Sequence, residues 1–149
     1  MRHRTGNRKG FTLVEILIVV VILGILAAIV IPQFTSATEE ARSGNLSAQI
    51  KSIQNQIELF KAKTGAYPTL AELQAAVTKT GVTGEDWGIL IDNDYLKTVP
   101  VNPAAPTAVR SLVGDSASDA FGWVYDEANG QLSATYFDES TGRVTPTTP

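Results

Sequence analysis

The sequence predicts an α+β protein with a long N-terminal α-helical spine and a small antiparallel β-sheet head. Three observations carry this prediction: an uncharged apolar run at residues 16–31, a helical stripe of apolar residues between Leu46 and Phe60, and an Asn129-Gly130 turn between two strand-like segments. We divide the chain accordingly into four parts. They are a basic leader at 1–10, an apolar helix at 11–33, an amphipathic continuation of that helix at 34–64, and a head at 65–149 whose tail, from about 145, is predicted to be disordered.

The apolar segment at residues 11–31 is long enough to span a membrane. Its 21 residues cover about 30 Å at about 1.5 Å per residue, which is the thickness of a bilayer core. A secretory signal peptide has a shorter apolar core, of roughly 7–15 residues. Because the leader is basic, we expect a single pass with the N-terminus in the cytoplasm and the head exported. The basic residues of the leader are Arg2, Arg4, Arg8 and Lys9.

Two residues interrupt the apolar character of this segment. Glu15 is the only ionisable side chain between Phe11 and Phe34, and a carboxylate inside a bilayer is costly unless a partner neutralises it. Pro32 removes one backbone donor, which predicts a kink or a local opening of the helix. The plain alternative for Glu15 is a signal anchor whose carboxylate lies among the lipid headgroups without a function.

The amphipathic part of the helix is predicted from spacing. Apolar residues recur at intervals of four, three, four and three, which places them on one face of a helix. We expect this stripe to form part of the core of the head. A free coiled coil is the alternative, but the pattern lasts only about two heptads, which is too short. Gly65 predicts the end of the helix near Thr64. The stripe consists of Leu46, Ile50, Ile53, Ile57 and Phe60.

The head is predicted to contain one short helix and a hairpin. Thr69 and Glu72 form the pattern of a capping box, so a helix to about Thr78 should follow. Its inward-facing residues would be Leu70, Leu73, Ala76 and Val77. The proline-containing stretch at 98–120 predicts an extended loop. Strands are expected at 121–125 and 131–137, with Phe121, Trp123 and Tyr125 facing Leu132, Ala134 and Tyr136.

Composition excludes several classes of function. The chain of 149 residues contains no cysteine, so it forms no disulfide, and its one histidine, His3, lies in the leader. Without His and Cys in the exported part, the common hydrolytic triads and the common zinc sites cannot be assembled. The net charge is −3 with the leader and −7 without its four basic residues. An acidic exported part argues against binding to nucleic-acid phosphates.

The junction Lys9-Gly10-Phe11-Thr12-Leu13-Val14-Glu15, followed by the apolar run, resembles the class III leader of type IV pilins and type II secretion pseudopilins. The resemblance implies a pilin-like fold. It also implies that prepilin peptidase cuts between Gly10 and Phe11 and that Phe11 is then N-methylated. Glu15 would form a charge pair with the Phe11 amine of a neighbouring subunit during fibre assembly. Related pilins carry a proline at the position of Pro32.

Two short sequence motifs in the head resemble those of the major pseudopilin, the protein G class. They are Gly65-Ala66-Tyr67-Pro68-Thr69 and Tyr95-Leu96-Lys97-Thr98-Val99-Pro100-Val101-Asn102-Pro103. Many type IV pilins close a C-terminal loop with a disulfide, which this chain lacks. The resemblance therefore implies a structural subunit, not an enzyme, of a periplasmic type II secretion fibre that drives protein export. Implied partners are further copies of the chain, prepilin peptidase, an inner-membrane assembly platform and minor pseudopilins.

Two other functions remain open at this point. One is a major or minor subunit of a surface type IV pilus for adhesion, motility or DNA uptake. The other is a membrane-anchored periplasmic enzyme or binding module, which would need a cluster of polar groups that the sequence does not indicate. Genes for a secretion ATPase and secretin, or for a retraction ATPase, next to this gene would separate the first two.

Calcium is the one cofactor that the resemblance suggests. Major pseudopilins carry an Asp-Pro-Trp-Gly motif and an acidic, calcium-binding C-terminal loop. This chain has Asn102-Pro103-Ala104-Ala105 in place of that motif. Carboxylates are suitable calcium ligands, although surface acids are more often only solvated. The candidate ligands are Asp115, Asp119, Asp138 and Glu139.

Overall fold

The computed structural model describes residues 10–145, with the side chains of residues 31–36 left out. The predictions for the leader before Gly10, for the tail after Thr145 and for the side chain of Pro32 therefore lie outside the described residues. Two compact units make up the chain, Met1–Thr38 and Glu39–Pro149. The first helix, α1 (Leu13–Thr64), begins in the first unit and ends in the second, and its helical assignment continues through position 32.

In the first unit, α1 is an apolar helix, and all side chains from Leu13 to Val30 are exposed. Its large apolar residues from Leu13 to Val30 are between 41% and 81% exposed. The 18 residues Leu13–Val30 have a mean hydropathy of 3.2, so by length and composition this helix is able to cross a membrane. Burial of this apolar surface has to come from lipid or from other protein.

In the second unit, α1 supplies one wall of the core, as the spacing predicts. All five residues of the stripe from Leu46 to Phe60 are buried. The helix ends in an αL motif in which Gly65, at φ +91°, donates its N–H to the Lys61 carbonyl at 2.8 Å. Phe60 also packs edge-on against Tyr95, with ring centroids 5.4 Å apart.

The segment after α1 is less helical than the sequence predicts. The capping box of Thr69 and Glu72 is present, but helix α2 (Leu70–Leu73) has only four residues. Carbonyls that would continue the helix instead accept bonds from a distant segment, since Leu73 accepts from Trp87 and Ala75 accepts from Gly88. Ala76 is exposed and not inward-facing. A second short helix, α3 (Gly88–Asp92), follows that segment and was not predicted.

The sheet of the head has three strands in the order β1-β2-β3. Strands β2 (Trp123–Asp126) and β3 (Gln131–Ala134) form the predicted antiparallel hairpin, with Trp123 opposite Ala134 and Tyr125 opposite Leu132. Its loop comprises residues 127–130, and Gly130 there has φ +67°. Strand β1 (Val113–Gly114) pairs parallel to β2 inside the stretch predicted to be a loop.

The second predicted strand is interrupted after Ala134. Tyr136 has φ +59°, so the chain changes direction there. Strand β4 (Phe137–Asp138) then pairs with β5 (Arg143–Val144) in a separate antiparallel hairpin. Residues 139–142 connect these two strands.

Asn102 fixes the proline-containing loop to the centre of the head. Its side chain is fully buried. The amide nitrogen donates to the carbonyls of Gly122 and Thr135, both at 2.8 Å, and the amide oxygen accepts from the backbone of Ala104 and Ala105 at 2.8 and 3.3 Å. One neutral amide thus joins the loop to the residues directly before β2 and directly after β3, with both amide hydrogens bonded.

We predict that Asn102→Asp destabilises the head by about 2–5 kcal/mol at pH 7, because a buried carboxylate would face two carbonyl oxygens. The loss should shrink as the pH falls, since a protonated carboxyl regains one donor. Denaturant unfolding of the full chain in detergent, followed by tryptophan fluorescence, measures it. Asn93→Asp is the matched control, because Asn93 makes a single exposed bond to Ile89. Equal losses in the two variants would contradict the role of Asn102.

Candidate functional site

The candidate site is the start of α1, where the predicted cleavage and assembly residues lie together. Gly10 and Phe11 precede the helix, which begins at Leu13, and Glu15 lies in its first turn. Phe11 is 82% exposed. A Cβ atom placed on Gly10 would meet no atom within 4 Å, so the fold itself does not require glycine there.

Thr12 and Glu15 form a capping box at this end of the helix. One carboxylate oxygen of Glu15, Oε2, accepts from the Thr12 backbone N–H at 2.7 Å and from the Thr12 hydroxyl at 2.8 Å. The Thr12 hydroxyl in turn accepts from the Glu15 backbone N–H at 3.2 Å. The arrangement satisfies two of the unpaired N–H groups of the helix start and holds the carboxylate next to them.

The second carboxylate oxygen of Glu15 has no hydrogen bond to any described residue. Oε2 makes both bonds to Thr12, which leaves Oε1 available to a cation or a donor from outside the chain. The N-terminal end of a helix also favours negative charge. Chemically, the site presents an oriented and half-satisfied carboxylate beside the Gly10–Phe11 bond.

Sequence reasoning singled out Gly10, Phe11 and Glu15 but missed Thr12. The signal was present, because Thr12-Leu13-Val14-Glu15 has the same Thr-x-x-Glu pattern that identified the capping box at Thr69. The roles of Gly10, Phe11 and Glu15, and the kink at Pro32, stay predictions.

Two family models match the chain over adjoining segments. The prokaryotic N-terminal methylation motif matches residues 5–31, and the type II secretion system protein G model matches residues 33–107. The type II secretion system core protein G of Pseudomonas aeruginosa is 41% identical over 102 residues, which are 65% of this chain and 68% of the relative. The chain belongs to the type II secretion system protein G family. This confirms the predicted resemblance to the major pseudopilin and the pilin-like α+β fold.

Other relatives agree with this assignment. The core protein G of Klebsiella michiganensis is 33% identical over 101 residues, covering 67% of this chain and 70% of the relative. A type IV narrow pilus major component of Thermus thermophilus is 32% identical over 106 residues, or 71% and 89% of the two chains. Because the family model over residues 33–107 and the first two relatives are all of protein G, the pilus alternative is not favoured over type II secretion. No solved structure matches the chain.

Family membership also indicates where the exposed apolar helix is located in the cell. Members are structural pseudopilins, and the exposed helix Leu13–Val30 indicates anchoring of this pseudopilin in the inner membrane. The methylation motif covers Gly10, Phe11 and Glu15. It implies processing by prepilin peptidase.

The four candidate calcium ligands are not gathered into one site. Among residues 10–145, no three Asp, Glu, His or Cys side chains are grouped so that they could hold a metal ion. Asp119 accepts from the Tyr136 hydroxyl at 2.6 Å, and Asp115 accepts from the Ser116 hydroxyl at 3.0 Å. Calcium binding at these residues stays a prediction from the resemblance.

Asp138 instead closes the turn between β4 and β5. Its carboxylate accepts from the hydroxyl and N–H of Ser140 at 2.6 and 2.9 Å, and from those of Thr141 at 2.8 and 3.3 Å. These bonds, led by the one from the Ser140 hydroxyl, lower the pKa of Asp138 to about 2. They stabilise the ionised form because they are all made to the carboxylate.

We predict that Thr12→Val raises the exchange rate of the Glu15 amide hydrogen several-fold, because the hydroxyl that accepts it is lost. Thr12→Ser keeps the hydroxyl and should keep the slow rate. Hydrogen exchange of the full chain in detergent micelles, read by NMR, measures both. A Thr12→Val protein that exchanges as slowly as the Thr12→Ser protein would rule out the cap.

We predict that the carboxyl group of Asp138 titrates at about pH 2 in the folded protein, below the ordinary Asp value of about 3.9. Its pKa is depressed, so its contribution to the β4–β5 hairpin is complete above about pH 4 and is lost as the pH falls through about 2. Carbon-13 NMR titration measures the midpoint. A peptide of residues 136–145 provides the unfolded reference, and identical midpoints would contradict the prediction.

Proposed function

We propose that this pseudopilin is a structural, non-catalytic subunit that polymerises through α1 into a periplasmic type II secretion fibre. The single observation that carries the proposal is the oriented Glu15 carboxylate at the start of an exposed segment, Leu13–Val30, in which no other side chain is charged. The family of the chain and the methylation motif at residues 5–31 support it.

Processing would create the partner that Glu15 needs. Cleavage between Gly10 and Phe11 turns an amide into an ammonium, which would then be methylated on Phe11. The attraction between an ammonium and a carboxylate is strong in a medium of low dielectric constant, and it offsets part of the cost of removing both from water. We place the pair between two copies, with Oε1 of Glu15 facing the amine of its neighbour.

During assembly, the apolar segment of α1 would move from a lipid environment to contacts with neighbouring helices. Lipid covers it in the inner membrane, and neighbouring helices would cover it in the fibre. Lipid chains are as apolar as Leu, so this exchange has little hydrophobic driving force of its own. The charge pair is therefore what we expect to favour the fibre and to set the axial register of adjacent copies.

The basic leader supports the orientation of the chain. Four basic residues precede the apolar segment, and Glu39 and Glu40 come before Arg42 after it. By the positive-inside rule, the leader stays cytoplasmic, where prepilin peptidase would act, and the head is periplasmic. The assembly platform of the inner membrane and the minor pseudopilins would be the other partners.

The test separates the capping role of Glu15 from its charge. Glu15→Gln keeps a side-chain oxygen for the Thr12 cap and removes the charge, whereas Thr12→Val removes the hydroxyl of the cap and keeps the charge. We expect both variants to be inserted and cut to a chain beginning at Phe11, as shown by intact mass and N-terminal sequencing. Glu15→Gln should lose most sedimentable fibre, and Thr12→Val should lose less.

Glu39→Gln is the matched control, since it removes an exposed carboxylate from α1 outside the apolar segment. It should assemble like the unmodified protein. Fibre yield in Glu15→Gln equal to that of Glu39→Gln would overturn the charge pair. A protein that retains residues 1–10 in a host with active prepilin peptidase would overturn the processing step.

A further inference from the structure

Strand β3 lies at one edge of the three-stranded sheet. Gln54 of α1 bonds two outward backbone groups there, the carbonyl of Gly130 just before the strand and the N–H of Leu132 within it. The Gln54 amide nitrogen donates to the Gly130 carbonyl at 2.7 Å, and its amide oxygen accepts from the Leu132 N–H at 2.9 Å. A carboxamide presents a donor and an acceptor side by side, as a peptide group does. Gln54 therefore fills the place that the backbone of a fourth strand would take.

The opposite edge, at β1, is closed in the same manner. The Val113 N–H donates to the Asp86 carboxylate at 2.6 Å, and the Val113 carbonyl accepts from the Gln74 side chain at 2.9 Å. Asp86 and Val113 are both buried. At both edges of the sheet, side chains therefore bond outward backbone groups, which belong to Gly130, Leu132 and Val113.

The β3 edge is the one that another chain can reach. An open groove of about 460 Å³ runs between α1 and β3, and Gln54, Leu132, Lys51 and Gln131 are among the residues that line it. Unpaired N–H and C=O groups at the edge of a sheet are a template for pairing with another strand. Copies of a membrane-anchored fibre subunit are held close together, which increases that risk.

We propose that Gln54 prevents the β3 edge from pairing with a β-strand of a second copy of this chain. Subunits then associate through their helices and not through their sheets. The occupant that it excludes is the β3 edge of the second copy, added antiparallel across the groove. The proposal goes beyond the fibre function and does not require the Glu15 charge pair. It concerns unassembled protein as well, and the experiment uses that form.

A single cysteine reports on this pairing, because the chain contains none of its own. Ser133→Cys places the thiol on β3, in the middle of the edge, where two antiparallel β3 strands would meet. The full chain carrying this change is purified in detergent and oxidised, and disulfide-linked dimers are measured on a non-reducing gel. We expect Gln54→Ala to raise the dimer fraction several-fold over Ser133→Cys alone.

Two matched variants define what the increase means. Gln56→Ala removes the same side chain from the same helix, away from these bonds, and should leave the dimer fraction unchanged. Gln54→Glu keeps an acceptor for Leu132 but places a like charge on each copy at the edge, so its dimer fraction should stay below that of Gln54→Ala. Fluorescence of the buried Trp87 and Trp123 verifies the fold.

Three results would overturn the proposal. One is a dimer fraction in folded Gln54→Ala equal to that of the Gln56→Ala control. Another is an equal rise in Gln54→Glu, since pairing would then be insensitive to a charge at the edge. The third needs no variant: fast hydrogen exchange of the Leu132 amide in the unmodified chain would show that Gln54 does not cover the edge in solution.

Discussion

The burial of one face of α1 under the head is the interaction on which the second unit depends. The head has no cysteine, and its described strands have at most four residues. Small domains of this kind rarely bury enough apolar surface alone. Leu46, Ile53 and Ile57 are each no more than 3% exposed, so the helix itself is core. A subunit that lost this packing would lose its head as a folded unit, while α1 would remain able to enter a membrane.

Besides the apolar core, hydrogen bonds from side chains to distant backbone groups hold the elements of the second unit together. Asn102 joins the proline-containing loop to the residues directly before β2 and directly after β3. Gln54 joins α1 to β3, and Asp86 joins the segment before α3 to β1. Each connects elements that share few regular hydrogen bonds. Burial raises the pKa of Asp86 although the Val113 N–H opposes this, so this bond is made at some electrostatic cost.

Features with a local signal were predictable from the sequence, and features set by distant partners were not. The buried stripe, the end of α1 at Gly65, the capping box at Thr69 and the β2–β3 hairpin all follow from spacing or turn residues within a few positions. Helix α2 is short because Trp87 and Gly88 take its carbonyls, and β1 exists because β2 lies beside it. No pattern near Leu70 or Val113 indicates either partner.

The same distinction applies to the site at the start of α1. The sequence reveals a carboxylate near the membrane through a single residue, Glu15. The geometry of this carboxylate depends on Thr12, which donates two hydrogen bonds to Oε2 and leaves Oε1 without a described partner. A fully satisfied carboxylate would gain little from a second copy, and an unsatisfied one would disfavour insertion. In the proposed fibre, a carboxylate with one bonded and one unbonded oxygen would meet both demands, because the subunit would tolerate the bilayer and still gain from a neighbouring ammonium. The capping box would thereby contribute to the proposed assembly without any contact between Thr12 and another copy.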